Sequence, residues 1–123
     1  MKFILDTHIL LQSLNEPERL GPERTRELKD RSNTAYVSSV SIAEIAIKCS
    51  LGKLAVEGDL LSAVEDCGFE WLEFTPQEAI VLKDLPFHHR DPFDRMLVAQ
   101  SLTRDLPLMT DDQKLGHYGC GMI

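Results

Sequence analysis

Cysteine is scarce in this chain and forms no pattern. Cys49, Cys67 and Cys120 are an odd number at wide spacings, with no CxxC pair among them. A zinc site built on paired thiolates and a disulfide framework both need a denser, even set, so these read as reduced, partly buried thiols. Long apolar runs are also missing, and none approaches the roughly 18 to 20 residues that span a bilayer. The segment Met1-Lys2-Phe3-Ile4-Leu5-Asp6 meets a carboxylate before the apolar region of a signal peptide could form, which makes a cytoplasmic protein the expectation. No repeat, low-complexity tract or linker interrupts the sequence. Positive charge is short too: 13 Lys and Arg stand against 20 Asp and Glu, for a net charge of −7. Phosphate backbones attract Lys and Arg, so composition alone favours a small-molecule or protein partner over a nucleic acid.

What is present suits one globular domain over residues 1–123. Hydrophobic residues make up 43% and charged residues 27%, ordinary values for a folded domain with its own core. Lys2 to Leu5 reads as a first strand. His8 to Leu14 reads as a helix with Thr7 as its cap, and Pro22 to Arg31 as an exposed helix with an i,i+4 pair of Glu27 and Arg31. Ala35 to Ser38 is a compact strand. In the next segment, Ile42, Ile45, Ala46 and Cys49 recur at helical spacing over Ser41 to Leu51, and Gly52 stops the helix. Two more helices are expected at Gly58 to Cys67 and Pro76 to Leu85, with a short strand at Glu70 to Phe74 between them. Asp91-Pro92-Phe93-Asp94 opens a helix to about Arg104, with Asp91 as cap and Pro92 in its first position. Leu106 to Met109 is another strand, followed by a short helix to Tyr118 and a final edge strand at Met122 and Ile123. Strands alternating with amphipathic helices predict an α/β domain around a parallel sheet.

In such sheets, ligands bind at the carboxyl ends of the strands. Asp6 directly follows the first strand, and Asp111 and Asp112 follow the strand ending at Met109. Asp94 opens the helix before that strand, and Glu44 lies one turn into the helix after Ser38, among apolar neighbours. All can face one rim. Carboxylates crowded together raise one another's pKa, and a divalent cation that prefers oxygen ligands relieves the repulsion. Such a cation lowers the pKa of a bound water and stabilises charge on an attacked phosphate, so the pattern points to phosphodiester chemistry. Each acid also has an ordinary use. Asp6 and Asp91 can cap helices, Asp94 can complement a helix dipole, Glu44 can lie on the surface, and Asp111 and Asp112 can be loop acids.

Taken in order, the segments Phe3-Ile4-Leu5-Asp6-Thr7-His8, Ser39-Val40-Ser41-Ile42-Ala43-Glu44-Ile45, Arg90-Asp91-Pro92-Phe93-Asp94-Arg95-Met96-Leu97-Val98-Ala99-Gln100 and Leu108-Met109-Thr110-Asp111-Asp112 resemble the PIN-domain family. Within it they are similar to the VapC-type toxins of bacterial toxin–antitoxin pairs, and Lys48-Cys49-Ser50-Leu51-Gly52-Lys53-Leu54 resembles a segment of one branch. The resemblance implies a three-layer α/β/α sandwich around a central parallel sheet, and an endoribonuclease that depends on Mg²⁺ or Mn²⁺. It also implies a homodimer and a small VapB-type antitoxin as partner. By motif position Asp6, Glu44 and Asp94 match the family's first three acids. Asp112 matches the fourth, because Thr110 sets the register of a Thr-x-Asp pattern and makes Asp111 the variable middle residue. Asp91 reads first as a cap and second as a support for the ligands.

The expected mechanism has Asp6 and Asp94 ligating the main metal, Glu44 completing the site or orienting the attacking water, and Asp112 holding further water. Thr7 and Thr110 would orient carboxylates. These four acids take up four of the seven net negative charges, which softens the charge objection. Lys48, Lys53, Arg90 and Arg95 are the cations expected to meet RNA phosphates. His88 and His89 read as a polar loop, His8 as core or rim packing, and Trp71 and Phe74 as core. Two rivals fail on inspection: a haloacid-dehalogenase-like phosphatase needs a second Asp two residues after Asp6, where His8 stands, and a receiver domain needs its acidic pair after the first strand rather than at Asp111-Asp112. A PIN-like module that only binds protein is the remaining alternative.

Overall fold

Strands covered on both faces carry apolar residues at successive positions rather than at every second one. The computed structural model, which describes residues 1–123, shows this arrangement. The strands are β1 (Lys2–Leu5), β2 (Thr34–Ser38), β3 (Glu70–Leu72) and β4 (Leu108–Met109). They form one parallel sheet in the order β3-β2-β1-β4. Register pairs Phe3 with Ala35, Leu5 with Met109 and Val37 with Trp71. Side chains alternate across the sheet. Phe3, Leu5, Ala35, Val37 and Met109 share one apolar cluster, while Ile4, Leu72 and Leu108 share the other.

Six α-helices supply the outer layers: α1 (Thr7–Asn15), α2 (Gly21–Lys29), α3 (Ser39–Ser50), α4 (Leu60–Asp66), α5 (Pro76–Val81) and α6 (Pro92–Arg104). Two 3₁₀ turns, Pro17–Leu20 and Gln113–Tyr118, complete the chain. Ile9 and Leu10 of α1, Ile45 of α3 and Val64 of α4 pack on the Phe3 face. Leu97 and Val98 of α6, with Leu85 and Leu115, pack on the Ile4 face. The result is the expected α/β/α sandwich. No helix is long and apolar enough to cross a membrane.

The strand order positions the site. From β1 the chain steps outward to β2 and β3, then returns across the sheet to place β4 on the other side of β1. Such a reversal leaves a crevice at the carboxyl ends of the two strands it separates. Asp6 and Thr110-Asp111-Asp112 begin where β1 and β4 end.

Local details differ from expectation where side chains found other partners. Asp6, not Thr7, caps α1, accepting from the Ile9 amide at 2.8 Å. Ser38 caps α3 through the Val40 amide, so this helix starts at Ser39 rather than Ser41. Helix α2 ends at Lys29, and Glu27 accepts from Asn33 Nδ2 at 2.8 Å instead of pairing with Arg31. Strand β3 stops at Leu72, α5 stops at Val81, and the expected last strand is a single bridge between Met122 and Leu108. Trp71, expected in the core, is 38% exposed on the edge strand β3. The α6 cap is as read: Asp91 accepts from the amides of Phe93 and Asp94, with Pro92 ahead of them.

Arg95 corrects a further expectation. It is buried, not free for phosphates. Nη1 donates to Pro86 O at 2.7 Å and Tyr118 Oη at 3.2 Å, and Nη2 donates to Leu85 O at 3.1 Å and Leu82 O at 3.4 Å. This guanidinium ties the segment before α6 to the helix. Arg95→Met keeps most of the stem but strands these acceptors, and should cost about 2–4 kcal/mol in urea unfolding. An unchanged unfolding midpoint would show that water already serves the carbonyls.

Candidate metal centre

Four acids far apart in the chain meet at the crevice. Asp6, Glu44, Asp94 and Asp112 line one depression of about 360 Å³, together with Thr7, His8, Lys48, Asp91 and Asp111 and with no hydrophobic residue. Different elements deliver them: Asp6 from the end of β1, Glu44 from the second turn of α3, Asp94 from the first turn of α6, and Asp112 from the turn after β4. Asp6 and Glu44 are buried.

Each carboxylate is held differently. Asp6 Oδ1 is fixed by the Ile9 amide. Glu44 Oε2 takes a 2.6 Å contact from Lys48 Nζ, one helical turn on, while Oε1 is buried with no hydrogen-bond partner. Asp112 Oδ1 accepts from the Lys114 amide at 3.0 Å, and its Oδ2 lies 2.8 Å from His89 Nε2. Asp94 Oδ2 is 3.5 Å from the same nitrogen. Asp91 is spent on the α6 amides yet adds its charge to the cluster.

The electrostatic cost shows in the titration of the acids. Burial, followed by the neighbouring Asp91, pushes the Asp94 carboxyl up to about 7; Glu44 and Asp6 add to the rise and His89 opposes it. Burial also raises Asp6, against the Thr110 hydroxyl and the Ile9 amide, which favour its ionised form. The hydrogen bond to Glu44 raises Lys48 above its ordinary range. Four carboxylates, one with a buried oxygen that has no partner, fit a hard divalent cation such as Mg²⁺ or Mn²⁺, and no Cys stands among them as a zinc site would favour.

His89 was read from sequence as a loop residue, but the structure brings it into the site. It forms a tight group with Asp94 and Asp112, their potential ligand atoms within 4.8 Å of one another. Its Nδ1, however, accepts from the Asp91 amide at 3.0 Å, so the neutral ring carries its proton on Nε2 and donates toward the two acids. In this tautomer His89 bridges carboxylates and offers no lone pair to a metal.

Arg24 is the other residue that sequence reading missed. It forms an ion pair with Asp111, and its Nη2 donates to Thr110 O at 2.8 Å and Ile123 O at 3.3 Å. Asp111 thus has a cation of its own, whereas Asp112 points to His89. Thr7 departs from expectation by donating to Ser41 Oγ at 2.9 Å rather than to a carboxylate. Thr110 does support Asp6, and it also accepts from the Asp112 amide. His8 is exposed at the rim, within 3.3 Å of Gln12 Nε2. Lys53 lies outside the depression, and Lys48 reaches it only as the partner of Glu44.

The model of the PIN domain family matches residues 3–119. Among solved structures, the chain is similar to VapBC2 from Rickettsia felis bound to a DNA fragment from its promoter, with 16% identity, a TM-score of 0.71 and coverage of 100% of this chain and 98% of that one. It is similar to DNA-bound VapBC from Salmonella typhimurium at 22% identity and a TM-score of 0.70, covering 100% and 97%. VapBC-5 from Mycobacterium tuberculosis gives 21% identity and a TM-score of 0.55, covering 94% and 89%. At these identities the likeness is one of fold. No curated protein matches the sequence.

Because Asp94 titrates higher when folded than when unfolded, folding is penalised as pH rises and the group ionises among its neighbours. In EDTA at pH 8, Asp94→Asn should therefore melt several degrees above the wild type, with the gap narrowing steadily toward pH 5. Millimolar Mn²⁺ at pH 8 should raise the melting temperature of the wild type more than that of the variant. A gap that stays constant across this range would mean that Asp94 is not strained by the cluster.

Proposed function

The chain belongs to the PIN-domain family, and on that premise we propose that it is a VapC-type toxin, an endoribonuclease dependent on Mg²⁺ or Mn²⁺ that hydrolyses RNA phosphodiester bonds. The observation that carries this reading is the depression between the ends of β1 and β4, where four carboxylates meet and Glu44 Oε1 is buried without a partner. Asp6 and Asp94 would hold the main cation, Glu44 would complete its shell, and Asp112 would hold water beside it. Bound there, the cation would supply Lewis-acid stabilisation of phosphate charge and acidify water.

The chain's own groups prepare this site. The Ile9 amide orients Asp6, and Lys48 occupies one oxygen of Glu44, leaving the other available. Asp94, held partly protonated near neutrality, must release its proton to become a donor. His89 fixes the direction of Asp112. A water attacking in line on phosphorus would leave 5′-phosphate and 3′-hydroxyl ends. The solved neighbours are VapBC complexes, which supports a cognate VapB-type antitoxin as partner; that the toxin is a homodimer is implied by the family resemblance alone.

Wild-type protein should cut single-stranded RNA in Mg²⁺ or Mn²⁺ and not in EDTA. Asp6→Asn and Asp94→Asn should each lower the rate by about a hundredfold or more while retaining the fold by circular dichroism. RNA-end sequencing after expression would read the sites. Cleavage untouched by both substitutions would overturn the assignment, and antitoxin binding without any cleavage would indicate a protein-binding module instead.

A further inference from the structure

Phe87 is the most exposed large hydrophobic residue in the protein, at 85% of its free area, and belongs to neither apolar cluster. Its one contact in the fold is with Arg95, and its loop is held at both sides. Pro86 O accepts from Arg95 at 2.7 Å, and the His89 amide donates to Tyr118 Oη at 2.9 Å. The His88 ring packs edge-on against Tyr118 at 4.9 Å. The Arg95 guanidinium lies 4.1 Å from the Phe87 ring centroid, covering one face and leaving the other open. A rigid, displayed aromatic ring loses little entropy when something stacks on it.

The surroundings name the chemistry. A shallow depression of about 290 Å³ is lined by Phe87, His88, His89, Arg90 and Lys114, with one hydrophobic residue and no carboxylate. Arg90 and Lys114 are exposed. In a chain of net charge −7 this is a local cationic rim. It also adjoins the acids, since His89 touches Asp112 and lies two residues from Phe87, a separation of about 7 Å at most. An apolar protein segment would find a single hydrophobic contact here. A nucleobase with its phosphates would find a ring face flanked by cations, the combination used by proteins that bind single strands.

We propose that Phe87 is a base-stacking platform, on whose open face one nucleobase of single-stranded RNA lies beside the cleaved phosphate while Arg90 and Lys114 meet the backbone. This rests on the ribonuclease reading and extends it to how the substrate is held.

The test is fluorescence anisotropy with a labelled, random-sequence single-stranded RNA 12-mer, with Ca²⁺ replacing Mn²⁺ to suppress cleavage. Phe87→Ala should weaken binding about tenfold, the usual cost of losing one stacked base, and Phe87→Trp should restore it. Stabilisation by Mn²⁺ should not change in either variant, because the side chain lies outside the acid cluster; the Ala variant should melt slightly lower for want of the Arg95 contact, and the Trp variant should recover it. Unchanged RNA affinity in Phe87→Ala, or a Trp variant as weak as the Ala variant, would overturn the proposal even if the wild type cleaves RNA. Loss of antitoxin binding with RNA affinity intact would likewise overturn it. Binding that depends on Phe87 in a protein that cuts no RNA would uphold the platform and sink the ribonuclease reading. No RNA binding by the wild type would sink both.

Discussion

Carboxylates gathered in a partly dry crevice repel one another, and much of the structure around the crevice can be understood as an answer to that repulsion. Lys48 answers Glu44 from one turn along α3, His89 answers Asp112, and Arg24 answers Asp111 from a different helix. Asp6 and Asp91 spend part of their charge on the first amides of α1 and α6, where the helix dipole also favours an anion. Two features are left over: an unpartnered oxygen on Glu44 and a carboxyl at Asp94 that holds its proton to about 7. The protein compensates its acids nearly everywhere except where a dication would sit.

The same constraint explains why so many cations are already engaged. Arg95 is used to hold carbonyls, Arg24 to hold the turn after β4, and Lys48 to hold a single oxygen. A backbone phosphate approaching the crevice therefore meets few free cations inside it. The exposed ones nearest to it stand at the side, at Arg90 and Lys114, so any attraction of this acidic protein for a polyanion would be directional rather than general.

Much of this was legible in the sequence where the signal is local. The succession of apolar strands and amphipathic helices, the strand ends and the Asp91-Pro92 cap follow from short-range rules, and the strand ends placed the acids at one rim. The identity of the α1 cap was missed because Asp6 and Thr7 are both good caps, and only the tertiary contact to Ser41 draws Thr7 away. Arg24 and Asp111 are 87 residues apart, so no window on the sequence could join them. His89 and Arg95 were misplaced for a related reason. A His beside an Arg and an Asp looks solvated, and an Arg after an acidic turn looks free, until Tyr118 and the carbonyls of the preceding loop are brought against them.

The reversed strand order has a consequence for synthesis. The central strand β1 pairs with β2, which follows it closely, and with β4, the last strand to leave the ribosome. Asp6, Glu44 and Asp94 are all translated before Leu108 can close the second core or Asp112 can join them. A nascent or prematurely ended chain thus carries three of the four acids but not the wall that brings them together. The order of translation delays completion of the crevice until nearly all of the domain has been made.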